Sequence, residues 1–182
     1  MTQATNLTIK CIVLGDKAVG KTSFITKYLF SYFSPKYSPT VHPKLYSYTI
    51  PYPSPSLKLE IYECVNIPDF NDFLAVILLY DPHRPESLEY VVNLYPQILK
   101  HAQAKFLVKL IAVKRGKPRL HLGEKAARNL QVKLEQTDLK ERKQVSRIMQ
   151  KCIKFARKDQ RWENRKILFR LKQALIETSS IF

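Results

Sequence analysis

The sequence predicts an α/β fold: a mostly parallel six-stranded sheet flanked by helices. Three observations carry this. Strand-length apolar runs alternate with amphipathic helical runs along most of the 182 residues. The first apolar run leads through Gly15-Asp16-Lys17-Ala18-Val19-Gly20-Lys21-Thr22-Ser23 into a helix, the pattern of a phosphate-binding loop. The stretch Phe73 to Tyr80 is apolar throughout and has the length of a central strand buried on both faces.

In order, residues 7–14 form the first strand and residues 21–32 the first helix, with Phe24, Ile25, Tyr28 and Leu29 at helical spacing. Pro35, Pro39 and Pro43 forbid regular helix over residues 33–43, so this stretch is an extended loop. Residues 44–50 and 57–63 are strand-like and joined by the turn-rich link Pro51-Tyr-Pro-Ser-Pro-Ser56. Phe73 to Tyr80 is the central strand. Glu86 to Lys100 is helical, with Leu88, Val91, Val92 and Tyr95 on one face. Phe106 to Val113 is a strand, Glu124 to Leu130 a helix and Val132 to Glu135 a short strand. A long helix begins at about Leu139, with Asp138 as its N-cap.

In the phosphate loop, Gly15 and Gly20 let the backbone bend and approach a ligand closely. Successive N–H groups and the helix N-terminus then attract an anion. Lys21 reaches the outer phosphates, and the Thr22 hydroxyl can sit on a magnesium ion. A parallel sheet binds ligands at the carboxyl ends of its strands, where this loop lies.

The chain carries a net charge of +16, unevenly placed. Residues 1–100 hold nine Lys/Arg against eight Asp/Glu, and residues 101–182 hold twenty-two against seven. That asymmetry points to an anionic partner on one side of the fold, a membrane leaflet or nucleic acid; a solvated basic surface is the plain alternative. The three cysteines, Cys11, Cys64 and Cys152, are too few for a disulfide framework and suit a reducing compartment. No secretory signal and no membrane-spanning run are visible, so a cytoplasmic location is expected. His42, His83, His101 and His121 are dispersed, without metal-ligand spacing.

The order of elements and motifs over about residues 6–158 resembles the Ras superfamily of small GTPases, the Rab type most closely. The phosphate loop carries this, with Tyr37-Ser-Pro-Thr40-Val41, the hairpin ending Leu59-Glu-Ile-Tyr-Glu63, and Val76-Ile-Leu-Leu-Tyr-Asp81 followed by Pro85-Glu-Ser-Leu88. The resemblance implies a P-loop NTPase fold of Ras type that binds GTP or GDP with Mg²⁺ and acts through protein effectors and regulators. It implies that residues 15–23 hold the phosphates, that Thr22, Thr40 and Glu63 serve the metal, and that Lys114 and Asp138 lie near the base. An aromatic among Tyr28, Tyr32 and Tyr37 would shield the nucleotide or pack in the core. Asp81 is structural by this pattern, although it could be read as the magnesium acid of an ATPase or kinase.

The departures fall in two places. The family's Asp-x-x-Gly after the third strand reads Glu63-Cys64-Val65-Asn66, and the glutamine that orients the attacking water is Ile67. Only Cys64 to Val76 bridges to the next strand, so the second switch is shortened. The guanine-reading Asn-Lys-x-Asp reads Val113-Lys114-Arg115-Gly116, without its acidic acceptor.

Residues 159–182 are expected to form a basic amphipathic helical extension. Ile167, Leu168, Leu171, Ala174 and Leu175 lie on one face, with Arg161, Arg165, Lys166, Arg170 and Lys172 outside it. Such a helix lies on an anionic membrane, pairs with a partner helix or folds back on the domain. The chain ends Glu177-Thr-Ser-Ser-Ile-Phe182 without a cysteine, so no C-terminal prenylation is expected. The reading is a divergent Rab-like GTP-binding protein of weak hydrolysis, a switch or scaffold in vesicle traffic or signalling. The alternatives are a nucleotide-free pseudo-GTPase module, another P-loop ATPase or kinase, and a basic nucleic-acid binder, for which no DNA-binding motif is present.

Overall fold

The apolar runs assemble into one six-stranded sheet in the computed structural model, which describes residues 7–34, 39, 42–50, 57–64, 73–101, 106–114, 116 and 120–158. The strands are β1 (Leu7–Gly15), β2 (Lys44–Ile50), β3 (Leu57–Glu63), β4 (Ala75–Tyr80), β5 (Leu107–Val113) and β6 (Lys133–Thr137). They lie in the order β2-β3-β1-β4-β5-β6. Only β2 is antiparallel to its neighbour; the β1–β3, β1–β4, β4–β5 and β5–β6 pairs are parallel. Parallel strands covered on both faces read as continuous apolar runs, and all six residues of β4 are buried.

The helices are α1 (Lys21–Phe30), α2 (Pro85–His101), α3 (His121–Asn129) and α4 (Arg142–Lys158). Side chains alternate across the strands, which gives two cores. Ile9, Cys11 and Val13 of β1 pack with Phe24 and Ile25 of α1 and with Val145, Ile148 and Cys152 of α4. Ile12 and Leu14 face the other way, toward Leu88, Val91 and Ile98 of α2 and Ala127 of α3. The phosphate loop thus follows β1, one of the two middle strands of the sheet.

Several boundaries differ from the sequence expectation. α1 stops at Phe30 because Ser31 takes a left-handed backbone, φ 59°. The central strand starts at Ala75, two residues after Phe73. α3 begins a turn earlier, at His121, and β6 runs on to Thr137. Asp138 does not cap α4, which begins at Arg142; its carboxylate accepts the Lys140 N–H at 2.9 Å in a local turn. The link 51–56 and the extension 159–182 lie outside the described residues. Cys11, Cys64 and Cys152 are free and buried, and burial raises all three thiol pKa values, to about 11 for Cys64 and about 12 for Cys152.

One polar cluster interrupts the α4 side of the sheet. Lys109 of β5 is 6% exposed, and its ammonium meets Glu135 of β6 at 2.8 Å. Lys151 of α4 reaches the other carboxylate oxygen at 2.5 Å. Burial works to raise the Glu135 pKa, but the hydrogen bonds and charges of the two lysines outweigh it and lower the value. The ionised form is therefore the folded one, and its contribution is present above the ordinary carboxylate range and fades as pH falls through it. Glu135→Ala leaves Lys109 buried and unpaired. It should cost about 3–5 kcal/mol in urea denaturation at neutral pH, with the deficit shrinking in acid. Lys151→Ala, at a side chain 40% exposed, should cost less than about 1 kcal/mol.

Candidate nucleotide-binding site

The loop between β1 and α1 is fixed by close packing. A Cβ on Gly15 would collide with the Leu79 carbonyl of β4 and come within 3.0 Å of Val19 Cγ2. Gly20 has φ 101° and lies under the Leu139 side chain. Ala18 also has a left-handed backbone, φ 58°, which strains an L-residue by about 1–2 kcal/mol. Left-handed residues in such a turn direct successive N–H groups to one side and make an anion-binding concavity. The Phe24 N–H donates to the Gly20 carbonyl at 2.8 Å and starts the helix.

Lys21 folds back over this loop. Its ammonium donates to the Gly15 and Asp16 carbonyls, both at 2.9 Å. Burial lowers its pKa, against the pull of the Glu63 and Asp16 carboxylates. A partly dehydrated cation pinned on this loop suits a multiply charged oxyanion.

The Thr22 hydroxyl donates to Glu63 Oε1 at 2.5 Å, across from α1 to the end of β3. The Tyr46 hydroxyl on β2 donates to the other oxygen, Oε2, at 3.1 Å. Burial and the neighbouring carboxylate raise the Tyr46 pKa, so this phenol stays a donor. Glu63 is 1% exposed, and its extra methylene lets it reach Thr22 directly. Thr22 gives its proton to Glu63, so toward a cation its oxygen acts as an acceptor. Two hard oxygen donors on one side of the loop fit Mg²⁺, and Thr22 and Glu63 are the described residues that would hold it. Bound there, the ion would neutralise phosphate charge. Thr40, the third expected metal residue, lies outside the described residues, as do Tyr37, Asn66, Ile67 and Arg115.

From the opposite side Arg84, at the start of α2, grips the loop. Its guanidinium donates to the Lys17 carbonyl at 2.6 Å and lies 3.5 Å from the Asp16 carboxylate. Asp81 holds this corner: its Oδ1 accepts the His83 N–H at 2.9 Å, and its own N–H donates to the buried Ser87 hydroxyl at 2.9 Å. Asp81 is thus an anchor for the turn, as the structural reading has it.

At the turns after β5 and β6, few groups among the described residues are free to read a base. The Lys114 N–H donates to the Thr137 carbonyl at 2.7 Å, and its side chain is exposed. A Cβ at Gly116 would meet nothing within 4 Å. The Thr137 hydroxyl is buried and finds no partner among the described residues. Asp138 is near, with its carboxylate engaged by Lys140 and its N–H given to Gln144 Oε1 at 2.9 Å. Of the three tyrosines, Tyr28 packs partly in the core and Tyr32 is 59% exposed.

Residues 10–158 match the sequence model of the Ras family. The chain belongs to the Ras family. Members of this family bind guanine nucleotide with Mg²⁺, and the chain is a small GTP-binding protein on this ground. In this Ras-family protein the expected phosphate and metal residues among those described, 15–23 and Glu63, stand together at the carboxyl end of β1 and β3.

Sequence reasoning missed Arg84, Tyr46 and Leu139. Tyr46 had a usable signal: in the antiparallel β2–β3 register it opposes Ile61, which makes Glu63 its diagonal neighbour. Arg84 had none, because its contact spans 67 positions between loops. Arg84→Ala should raise nucleotide off-rates about tenfold, on the scale of one charge-assisted hydrogen bond, with the melting temperature nearly unchanged. Stopped-flow release of a fluorescent nucleotide and a thermal melt check both halves.

Proposed function

We propose that this Ras-family protein is a divergent, Rab-like switch or scaffold in vesicle traffic or signalling. It binds nucleotide through its phosphates, reads the base loosely and hydrolyses slowly. It acts in the cytoplasm or peripherally at membranes, through protein effectors and regulators. The observation that supports this is the contrast between the two ends of the site. Lys21, Thr22, Glu63 and Arg84 converge on the loop, whereas Gly116, at the position of the family's acidic reader, faces open space among the described residues. A nucleotide-free pseudo-GTPase module is the second reading. It is favoured by Lys21 and Glu63 already being satisfied within the chain.

Denaturing the purified protein and resolving the supernatant by ion exchange tests both. Bound purine nucleotide, with no strong preference of GTP over ATP in exchange assays, supports the proposal. Lys21→Ala should abolish binding. Gly116→Asp with Val113→Asn should raise guanine preference by about tenfold or more, the value of a bidentate charged pair. Asp tolerates the left-handed backbone at 116. Absence of nucleotide from wild type, with none taken up on incubation with Mg²⁺, establishes the second reading instead.

Hydrolysis follows from sequence position. Ile67 has no group to orient water, and Asn66 stands where the family places a glycine. Single-turnover phosphate release should therefore proceed at or below about 10⁻⁴ s⁻¹, the unassisted scale. Release complete within minutes refutes this.

A further inference from the structure

The sheet separates the charges of this domain. α2 and α3, on one face, carry three Lys/Arg and three Asp/Glu between them. α1 and α4, on the other, carry nine Lys/Arg and no Asp or Glu. Seven of the nine are on α4. Its apolar stripe, Val145, Ile148, Met149, Cys152, Ile153 and Ala156, is buried against the sheet. Lys143, Arg147, Lys154 and Lys158, at spacings of four, seven and four, therefore project from one outer face and are exposed. They form no ion pair among the described residues; Lys151, at the edge of the row, is the one held by Glu135. A shallow groove of about 320 Å³ lined by Arg142, Lys143, Ser146, Arg147 and Gln150 opens on the same face.

We propose that this outer face of α4 is a docking surface for an anionic lipid leaflet. The peripheral membrane contact of the preceding reading supplies the context, but the surface assigned here lies within the folded domain and needs neither the C-terminal extension nor bound nucleotide. Charge complementarity selects the partner class: a row of unpaired cations about 22 Å long, fifteen residue steps of helix, facing an array of phosphates. Side-chain composition selects lipid over nucleic acid: among the described residues no exposed aromatic alternates with the cations of α4 to stack a base. The exposed aromatics nearby, Phe30 and Tyr32 at 64% and 59%, cluster at the end of α1, the helix packed beside α4. There they can enter the interfacial layer, where aromatic side chains are favoured.

Each Lys or Arg at an anionic surface contributes about a fivefold factor to partitioning, and the attraction fades within a Debye length. The full-length chain is sedimented with phosphatidylcholine vesicles and with vesicles containing about one-third phosphatidylserine. Wild type should bind only the latter, and lose binding in high salt. Lys143→Gln/Arg147→Gln/Lys154→Gln should lower the partition coefficient at least tenfold. Lys125→Gln/Arg128→Gln/Lys133→Gln, an equal charge change away from α4 at exposed positions, should lower it less than threefold. Equal losses in the two triple variants overturn the proposal, as does equal binding to neutral vesicles or unchanged sedimentation of the α4 variant. So does tighter binding to an RNA duplex than to acidic vesicles that is lost in the same variant. Nucleotide content is measured in parallel and should not change in either variant; a nucleotide-free protein that still shows the α4-dependent binding refutes the nucleotide reading and leaves the docking surface standing.

Discussion

The contact of Gly15 with the Leu79 carbonyl of β4 sets the geometry of everything around the loop. No side chain fits there, so the backbone leaving β1 has to turn tightly against the neighbouring strand. From that turn the loop is held on three sides: Lys21 bridges its first carbonyls, Arg84 takes the next one from the turn before α2, and Leu139 lies over Gly20. The strain accepted at Ala18 is maintained by these surroundings, as strained backbone at functional sites generally is. Rigid placement matters because an anion site made of N–H groups works only when they already point together.

The two ends of the site depend on different parts of the fold. The phosphate end rests on β1, β3 and α1, whose side chains lie in one continuous core. The end expected to face the base rests on the turns after β5 and β6, joined among the described residues by the backbone bond from Lys114 to Thr137. Leu139, in the turn after β6, is buried in the core beside the phosphate loop. The turn after β6 has thus been given over to packing, and its polar atoms, Asp138 among them, are spent on shaping the turn.

The sheet, its six strands and the place of the phosphate loop were legible because long apolar runs and the Gly-x-x-x-x-Gly-Lys-Thr spacing are local signals. Ends were less so. Asp138 has the residue type of a helix cap, yet its side chain closes a turn, because Leu139 is drawn into the core and delays the helix to Arg142. Ser31 stops α1 by a backbone conformation that its identity does not announce. In the candidate site, Lys21 and Thr22 were readable from spacing, and Glu63 from the family resemblance alone. Arg84 was not singled out, since its contact spans 67 positions, and Tyr46 was not, since only the β2–β3 register sets it diagonal to Glu63. The Lys109–Glu135–Lys151 cluster was hidden for the same reason: a lysine in the middle of an apolar strand looks like an edge residue until α4 covers it.

The buried cysteines have a consequence for how the molecule can be watched. Cys11 on β1 and Cys152 on α4 belong to the same core, are fully enclosed, and have thiol pKa values raised by burial. A thiol reacts as its thiolate, so neither can be alkylated or oxidised at an appreciable rate while α4 stays seated on the sheet. The rate at which a small electrophile labels them therefore counts the openings of that seam directly, without an added probe.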